Sequence, residues 1–275
     1  MSLSVQLNIF SGRPNPRFTL SETEAISLFK RALEAGPASP NASRGLGYQG
    51  FTLLPVEPGS DMDAMSQDAL GAASAHGLTL MGAPELEQEL IALALKRLEL
   101  SASVQSALAN AHETPLLTAL PQVDCPDCKG QNAPVYAPDW WNDNAFRLAN
   151  NNCYNYANNQ ATNTFAQPGR ASGTPITGMS CGGVQPSAVS DGLVASANFS
   201  EDTPGWYVAL VIWPDTDFHW YRQDTNGCWS HKPGSTPVIN TDNAGAQITD
   251  PATCDRGHYT QFCSYMITNS GVVIS

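Results

Sequence analysis

Eight consecutive apolar residues, Trp206–Trp213, constrain this chain more than any other stretch. The run is β-prone, carries no polar alternation and stops at Pro214, so it reads as a central strand buried on both faces. Such a strand needs a partner on each side. Residues 218–223 form the next strand, 228–232 pair back on it, and 265–267 and 272–274 supply terminal strands. Thr225-Asn226-Gly227 decides which of these side chains share a face. A two-residue turn would pair Thr225 with Cys228 and send His219 and His231 to opposite faces. A three-residue loop with Gly227 in the left-handed conformation pairs Asp224 with Cys228 and Tyr221 with His231. The three-residue loop is predicted, with His231 diagonal from His219 and both imidazoles directed toward Cys153.

The first half is a different kind of sequence. Val5, Leu7 and Ile9 alternate with polar residues as in a half-buried strand, and Ser11-Gly12-Arg13-Pro14 breaks the pattern with turn residues. Ser21 and Glu24 make a capping pattern for a helix that carries Ile26, Phe29 and Leu33 and stops at Gly36-Pro37. A strand at 51–54 completes a β-α-β unit, 56–76 reads as irregular, and a second helix opens at Pro84. Pro115, Pro121, Pro126 and Pro134 mark a boundary. The expected fold class is α+β. An N-terminal β-α-β and helical region covers 1–115, a Pro-rich linker covers 116–135, and over 136–275 a cysteine-led helix packs on an antiparallel sheet.

That helix start is where chemistry is expected. Asn152 is a good N-cap, so Cys153 falls in the first turn, where unpaired N–H groups and the helix dipole favour a thiolate. His219 is the candidate general base and His231 the group that orients it, with Asp217, Asn240 and Asp242 as alternative orienting groups. The Cys153 N–H and the Asn142 side chain are the candidate oxyanion donors, and Asn152, Tyr156 and Trp220 complete the substrate-side set. The blander account makes Cys153 a packed small hydrophobe and His219 a core histidine bonded to a carbonyl.

A cysteine at a helix start, followed by a sheet with histidines on successive strands, resembles the papain-like cysteine hydrolases. Within them the chain is most similar to NlpC-type cell-wall peptidases and CHAP-type amidase domains. There a Cys-x-x-aromatic-Ala helix, here Cys153-Tyr154-Asn155-Tyr156-Ala157, precedes the histidine strand. The resemblance covers 136–275 and implies a papain-like domain with Cys153 as nucleophile, His219 as base and His231 in the orienting position. The substrate would be a peptide or amide, a cell-wall peptide among the candidates. The chain lacks the family's usual Asp-Cys-Ser-Gly segment. Hydrolysis of this kind needs neither metal nor cofactor.

Composition bears on partners. A net charge of -12 and the absence of a basic run argue against nucleic acid, and no apolar run is long enough to span a bilayer. Residues 1–20 lack the order of a secretory signal, so the expected location is cytoplasmic, or reached by export that reads no such signal. Seven cysteines leave at least one unpaired, and in an oxidising compartment six could pair with Cys153 left over. Cys125 and Cys128 with Cys254 and Cys263, and His258 nearby, form an alternative zinc set ranked behind thiols or disulfides. The N-terminal region is a candidate for binding a protein partner. The rival to a hydrolase is a carbohydrate- or protein-binding module whose aromatic face is built from Trp and Tyr on paired strands.

Overall fold

The computed structural model describes residues 3–39, 42–55, 77–126, 128–196 and 198–275, and the 56–76 stretch expected to be irregular lies outside them. Its contacts divide the chain into two compact units. One comprises Met1–Ile9, Asn15–Arg44 and Tyr48–Leu116, the other Phe10–Pro14, Gly45–Gly47 and Leu117–Ser275.

The first unit holds an antiparallel sheet of order β2-β1-β3-β4, with β1 at Leu3–Leu7, β2 at Arg17–Thr19, β3 at Phe51–Pro55 and β4 at Leu78–Leu80. Helix α1, Glu22–Ala35, starts at Ser21 with the predicted capping box to Glu24 and stops at Gly36, whose φ is 80°. Its buried face is Ala25, Leu28, Phe29 and Ala32, and Ile26, expected inside, is 54% exposed. The expected β-α-β is in fact β-β-α-β-β. Strand β2 buries only Phe18, too short a pattern to read as a period. Helices α2, Pro84–Arg97, and α3, Ala102–Leu108, follow. Glu87 of α2 is fully buried and bonds both terminal nitrogens of Arg44 (2.9 and 3.3 Å), the Tyr48 hydroxyl (2.7 Å) and the N–H groups of Gly82 and Ala83 (2.7 and 2.9 Å). Only donors on that scale make a buried carboxylate tolerable.

The second unit holds an antiparallel sheet of order β5-β9-β6-β7-β8: β5 Val194–Ser196, β6 Trp206–Trp213, β7 Asp217–Gln223, β8 Trp229–His231 and β9 Gln261–Thr268. Strand β6 lies between β9 and β7 with all its residues buried, as its composition requires. Residues 272–274 are no strand, although Val272 and Ile274 are buried, and β5 is the edge instead. Helices α4 (Pro138–Asn142), α5 (Ala145–Asn150), α6 (Cys153–Ala157) and α7 (Cys181–Ser190) complete the unit. Cys153, Tyr154 and Ala157 of α6 and Val184 and Ala188 of α7 share one core with Leu210, Phe218, Trp220 and Met266. At the β7–β8 turn Tyr221 stands opposite His231, the Asp224 N–H donates to the Cys228 carbonyl (2.9 Å), and Gly227 has φ 78°. This is the predicted three-residue loop.

From Leu117 onward, the segment expected to be a linker clusters with the second unit. Cys125 is disulfide-bonded to Cys228, Gln223 Nε2 donates to the Cys128 carbonyl (3.0 Å), and the Thr225 N–H donates to the Pro134 carbonyl (3.0 Å). A second disulfide, Cys181–Cys263, ties α7 to β9, and Cys128, Cys153 and Cys254 are free. These pairings take Cys125 and Cys263 out of the alternative zinc set, and His258 stacks on Trp213 at 4.8 Å. Among the described residues no cluster could hold a metal ion, and no helix is long and apolar enough to cross a membrane.

Candidate active site

The start of α6 is built as its sequence predicts. Asn152 Oδ1 accepts from the Tyr154 and Asn155 N–H groups (3.0 and 3.1 Å), and Asn155 Oδ1 accepts from the Asn152 N–H (3.2 Å). The thiol there is covered. Cys153 is fully buried in the core with Phe218 and Trp220, and that burial, reinforced by the Asp217 carboxylate, pushes its thiol well above the ordinary range. A bond from the Trp220 N–H favours the thiolate, and Ser11 Oγ also lies at the sulfur, but neither offsets burial. The Trp220 N–H is open to the sulfur because β8 stops at His231, so the next pair, Trp220 with Lys232, is not made.

The two histidines meet, but not on the cysteine. His219 Nε2 lies 2.9 Å from His231 Nδ1, and His231 Nε2 lies 3.0 Å from the Thr241 carbonyl oxygen. Burial holds both rings neutral: His231 falls to about 4, and His219 falls well below 6.5, with His231 adding to the effect. A carbonyl only accepts, so His231 carries its proton on Nε2 and its Nδ1 accepts from His219 Nε2–H. His219 Nδ1 is therefore an acceptor, and the Ser11 hydroxyl donates to it. Side chains alternate along β7, which puts His219 on the opposite face from Phe218 and Trp220. Ser11 thus stands between sulfur and imidazole. The expectation that both imidazoles point at Cys153 is corrected, because each ring nitrogen has another partner.

Residues 10–14 are fixed from several sides. Asp217, also fully buried, accepts from the N–H groups of Ser11 (2.6 Å), Gly12 (3.2 Å) and Arg13 (3.0 Å) and from the Tyr259 hydroxyl (2.5 Å). Asn152 Nδ2 and Gln167 Nε2 donate to the Gly12 carbonyl (2.9 and 2.8 Å). Gly12 lies so close to Phe218 that an added Cβ would stand 2.4 Å from the ring.

No described protein family matches the chain, and no solved structure does. A curated relative matches strongly: insoluble matrix shell protein 1 of Ruditapes philippinarum is 46% identical over 131 residues, which are 48% of this chain and 87% of the relative. The chain belongs to the family of insoluble matrix shell protein 1.

In this member of the insoluble matrix shell protein 1 family, the remaining sequence candidates have structural partners. Asn142 pairs through its amide with both backbone groups of Val238 (2.8 and 3.3 Å), so it is no oxyanion donor. The Tyr156 hydroxyl is bonded to Ser230 (2.6 Å) and Arg222 (2.8 Å), and Trp220 packs at 5.5 Å from Tyr154 inside the core. Asp217 binds the 10–13 backbone rather than an imidazole. Asp242 accepts from the N–H groups of Ala244, Ala246 and Asp255 (each 3.0 Å), and the Asn240 carbonyl accepts from the Ile248 N–H (3.0 Å). The group that orients His231 is the Thr241 carbonyl, which no side-chain pattern announces. Lys232 was missed although it follows His231 directly. It is fully buried, donates to the carbonyls of Leu148 (2.7 Å), Gly234 (2.7 Å) and Thr236 (3.2 Å), and burial lowers it to about 7.

The depressed histidines give a pH signature. The unfolded chain takes up imidazole protons near 6.5, whereas the native His231 waits until about 4, so stability is intact above 6.5 and declines as pH falls toward 4. For His231 alone the loss is roughly 3 kcal/mol. Asp217, raised by burial, acts in the opposite direction because the native state then gains its proton first. Comparing melts of the wild type and His231→Gln between pH 7 and 4 isolates the histidine. The wild type is expected to lose more on acidification, and parallel curves would refute this.

Proposed function

We propose that the second unit is a thiol-dependent hydrolase of amide or peptide bonds, held in a covered resting state by its own residues 10–14. The observation that carries this reading is the buried hydrogen-bonded run from Cys153 through Ser11, His219 and His231 to the Thr241 carbonyl. Ser11 keeps thiol and imidazole apart in the covered state, and once residues 10–14 move His219 Nδ1 takes the thiol proton itself. The thiolate attacks the substrate carbonyl, His219 returns a proton to the departing amine, and water hydrolyses the thioester. The charged form of Lys232 favours that thiolate, and the Cys153 N–H at the helix start is the natural oxyanion donor. The papain-like order of cysteine helix and histidine strands supports the same assignment. A substrate reaches the sulfur only after residues 10–14 move.

Removing the interposed hydroxyl tests the reading. In the wild type, iodoacetamide is expected to modify the half-buried Cys128 and Cys254 well before Cys153. Ser11→Gly loses the bond to His219, so residues 10–14 open more often, modification of Cys153 rises about tenfold or more, a change of ~1.4 kcal/mol, and cleavage of a peptide library appears. Adding Cys153→Ala abolishes that cleavage. A folded Ser11→Gly protein whose Cys153 stays inert would remove the hydrolase reading.

A second reading is a non-enzymatic matrix-binding module. The relative's name places it in an insoluble shell matrix, and Phe199, Trp229 and Tyr265 offer an aromatic face with ring centroids 4.8 to 6.3 Å apart. The two disulfides suit an oxidising, extracellular setting. This reading makes no demand on Cys153, so Cys153→Ala would leave matrix binding unchanged.

A further inference from the structure

A pocket of about 180 Å³ opens on the second unit, lined by Phe199, Trp229, Tyr265, Gln223, Asp250 and Cys128 among others. Strand register builds it. Gln223 and Trp229 are direct partners across β7 and β8, so their side chains share a face. Tyr265 reaches that face from β9, because it pairs with Ala209 of β6, which in turn pairs with Tyr221. Phe199 closes the corner edge-on, 4.8 Å from Tyr265 and 6.3 Å from Trp229. The wall that carries Cys128 is pinned by the Cys125–Cys228 disulfide.

Two of the polar groups in this pocket, the Gln223 carbonyl oxygen and the Asp250 carboxylate, are acceptors. Gln223 is 3% exposed, and its Oε1 has no hydrogen-bond partner. Its amide cannot turn round, because Nε2 donates to the carbonyls of Cys128 (3.0 Å) and Gly227 (3.2 Å) and a flip would set oxygen against oxygen. Asp250 is held in place by the Tyr265 hydroxyl and the Ala252 N–H. A buried acceptor left open costs free energy unless a ligand donates to it. A carboxylate beside three aromatic rings favours a cation over a neutral donor, since the ring faces attract positive charge. The net charge of -12 draws such ligands in.

We infer that this pocket binds an organic cation, an alkylammonium or guanidinium group, stacked on Trp229, Tyr265 and Phe199 and hydrogen-bonded to Gln223 and Asp250. The site goes beyond the hydrolase reading and does not depend on Cys153. Calorimetric titration of the full chain tests it, with methylammonium chloride and an end-capped lysine peptide as probes and N-acetylglucosamine as the neutral comparison. Saturable binding of at least one cation is expected, weakened about tenfold or more in Asp250→Asn and in Phe199→Ala. Phe199 is 40% exposed, so its replacement leaves a folded protein even if Asp250→Asn disturbs its turn. Preference for methylammonium points to a free alkylammonium, and preference for the peptide points to a protein side chain. The inference is overturned if neither cation binds, if both variants bind like the wild type, or if N-acetylglucosamine binds in place of the cations.

Discussion

Replacing Asp217 with alanine is expected to release residues 10–14 and open Cys153 to alkylation. The carboxylate is the common acceptor for three successive N–H groups, those of Ser11, Gly12 and Arg13, and for the Tyr259 hydroxyl. Hydrogen bonds to a charged group contribute about 1.5–3 kcal/mol each, and a buried donor left unpaired costs about 1–3 kcal/mol. Several such donors orphaned together exceed what the covered state can bear. The cheapest relief is for the 10–14 segment to leave and hydrate its own N–H groups, which takes Ser11 off His219. Melting temperature should therefore fall, and Cys153 should be alkylated faster than in Ser11→Gly, where the Asp217 bonds still close the segment most of the time. Asp217→Asn keeps one acceptor oxygen and is expected to lie between alanine and wild type. An alanine variant that melts like the wild type with Cys153 still protected would show that the segment is held by other means.

The second large effect belongs to the first unit, where Glu87→Ala should cost about 3–5 kcal/mol. Its carboxylate is fully buried against Arg44, whose side chain is only 3% exposed, so the substitution strands a guanidinium along with Tyr48 and two N–H groups. The contrast is with Arg31 and Glu89, bonded at 2.8 Å but each 43% exposed, where solvent already satisfies both charges. Glu89→Ala should cost less than about 1 kcal/mol. Denaturant unfolding of both variants decides the matter, since similar costs would mean that burial does not set the value of the Arg44–Glu87 pair.

Local rules made several elements readable. Ser21 with Glu24 announces a helix start, because the capping bonds lie within a few residues. Asn152 does the same for the cysteine helix, and Gly227 settles the β7–β8 register because few residues tolerate its conformation. Periodicity failed where elements were short. Arg17–Thr19 buries one side chain, and Ile26 sits one position away from the face that packs.

The candidate site divides along the same line. The sequence by itself determined the central strand, the capped cysteine and the pairing that brings His219 beside His231, since each follows from composition or from residues fewer than about fifteen positions apart. Only the tertiary structure decided that Ser11, 208 positions from His219, stands between thiol and imidazole. It also decided that Asp217 holds the 10–13 backbone, that Cys125 pairs with Cys228 across 103 residues, and that Cys153 is sealed in the core. A helix start favours a thiolate through its own few N–H groups, whereas burial is imposed by every element packed around it, and for Cys153 burial outweighs the helix.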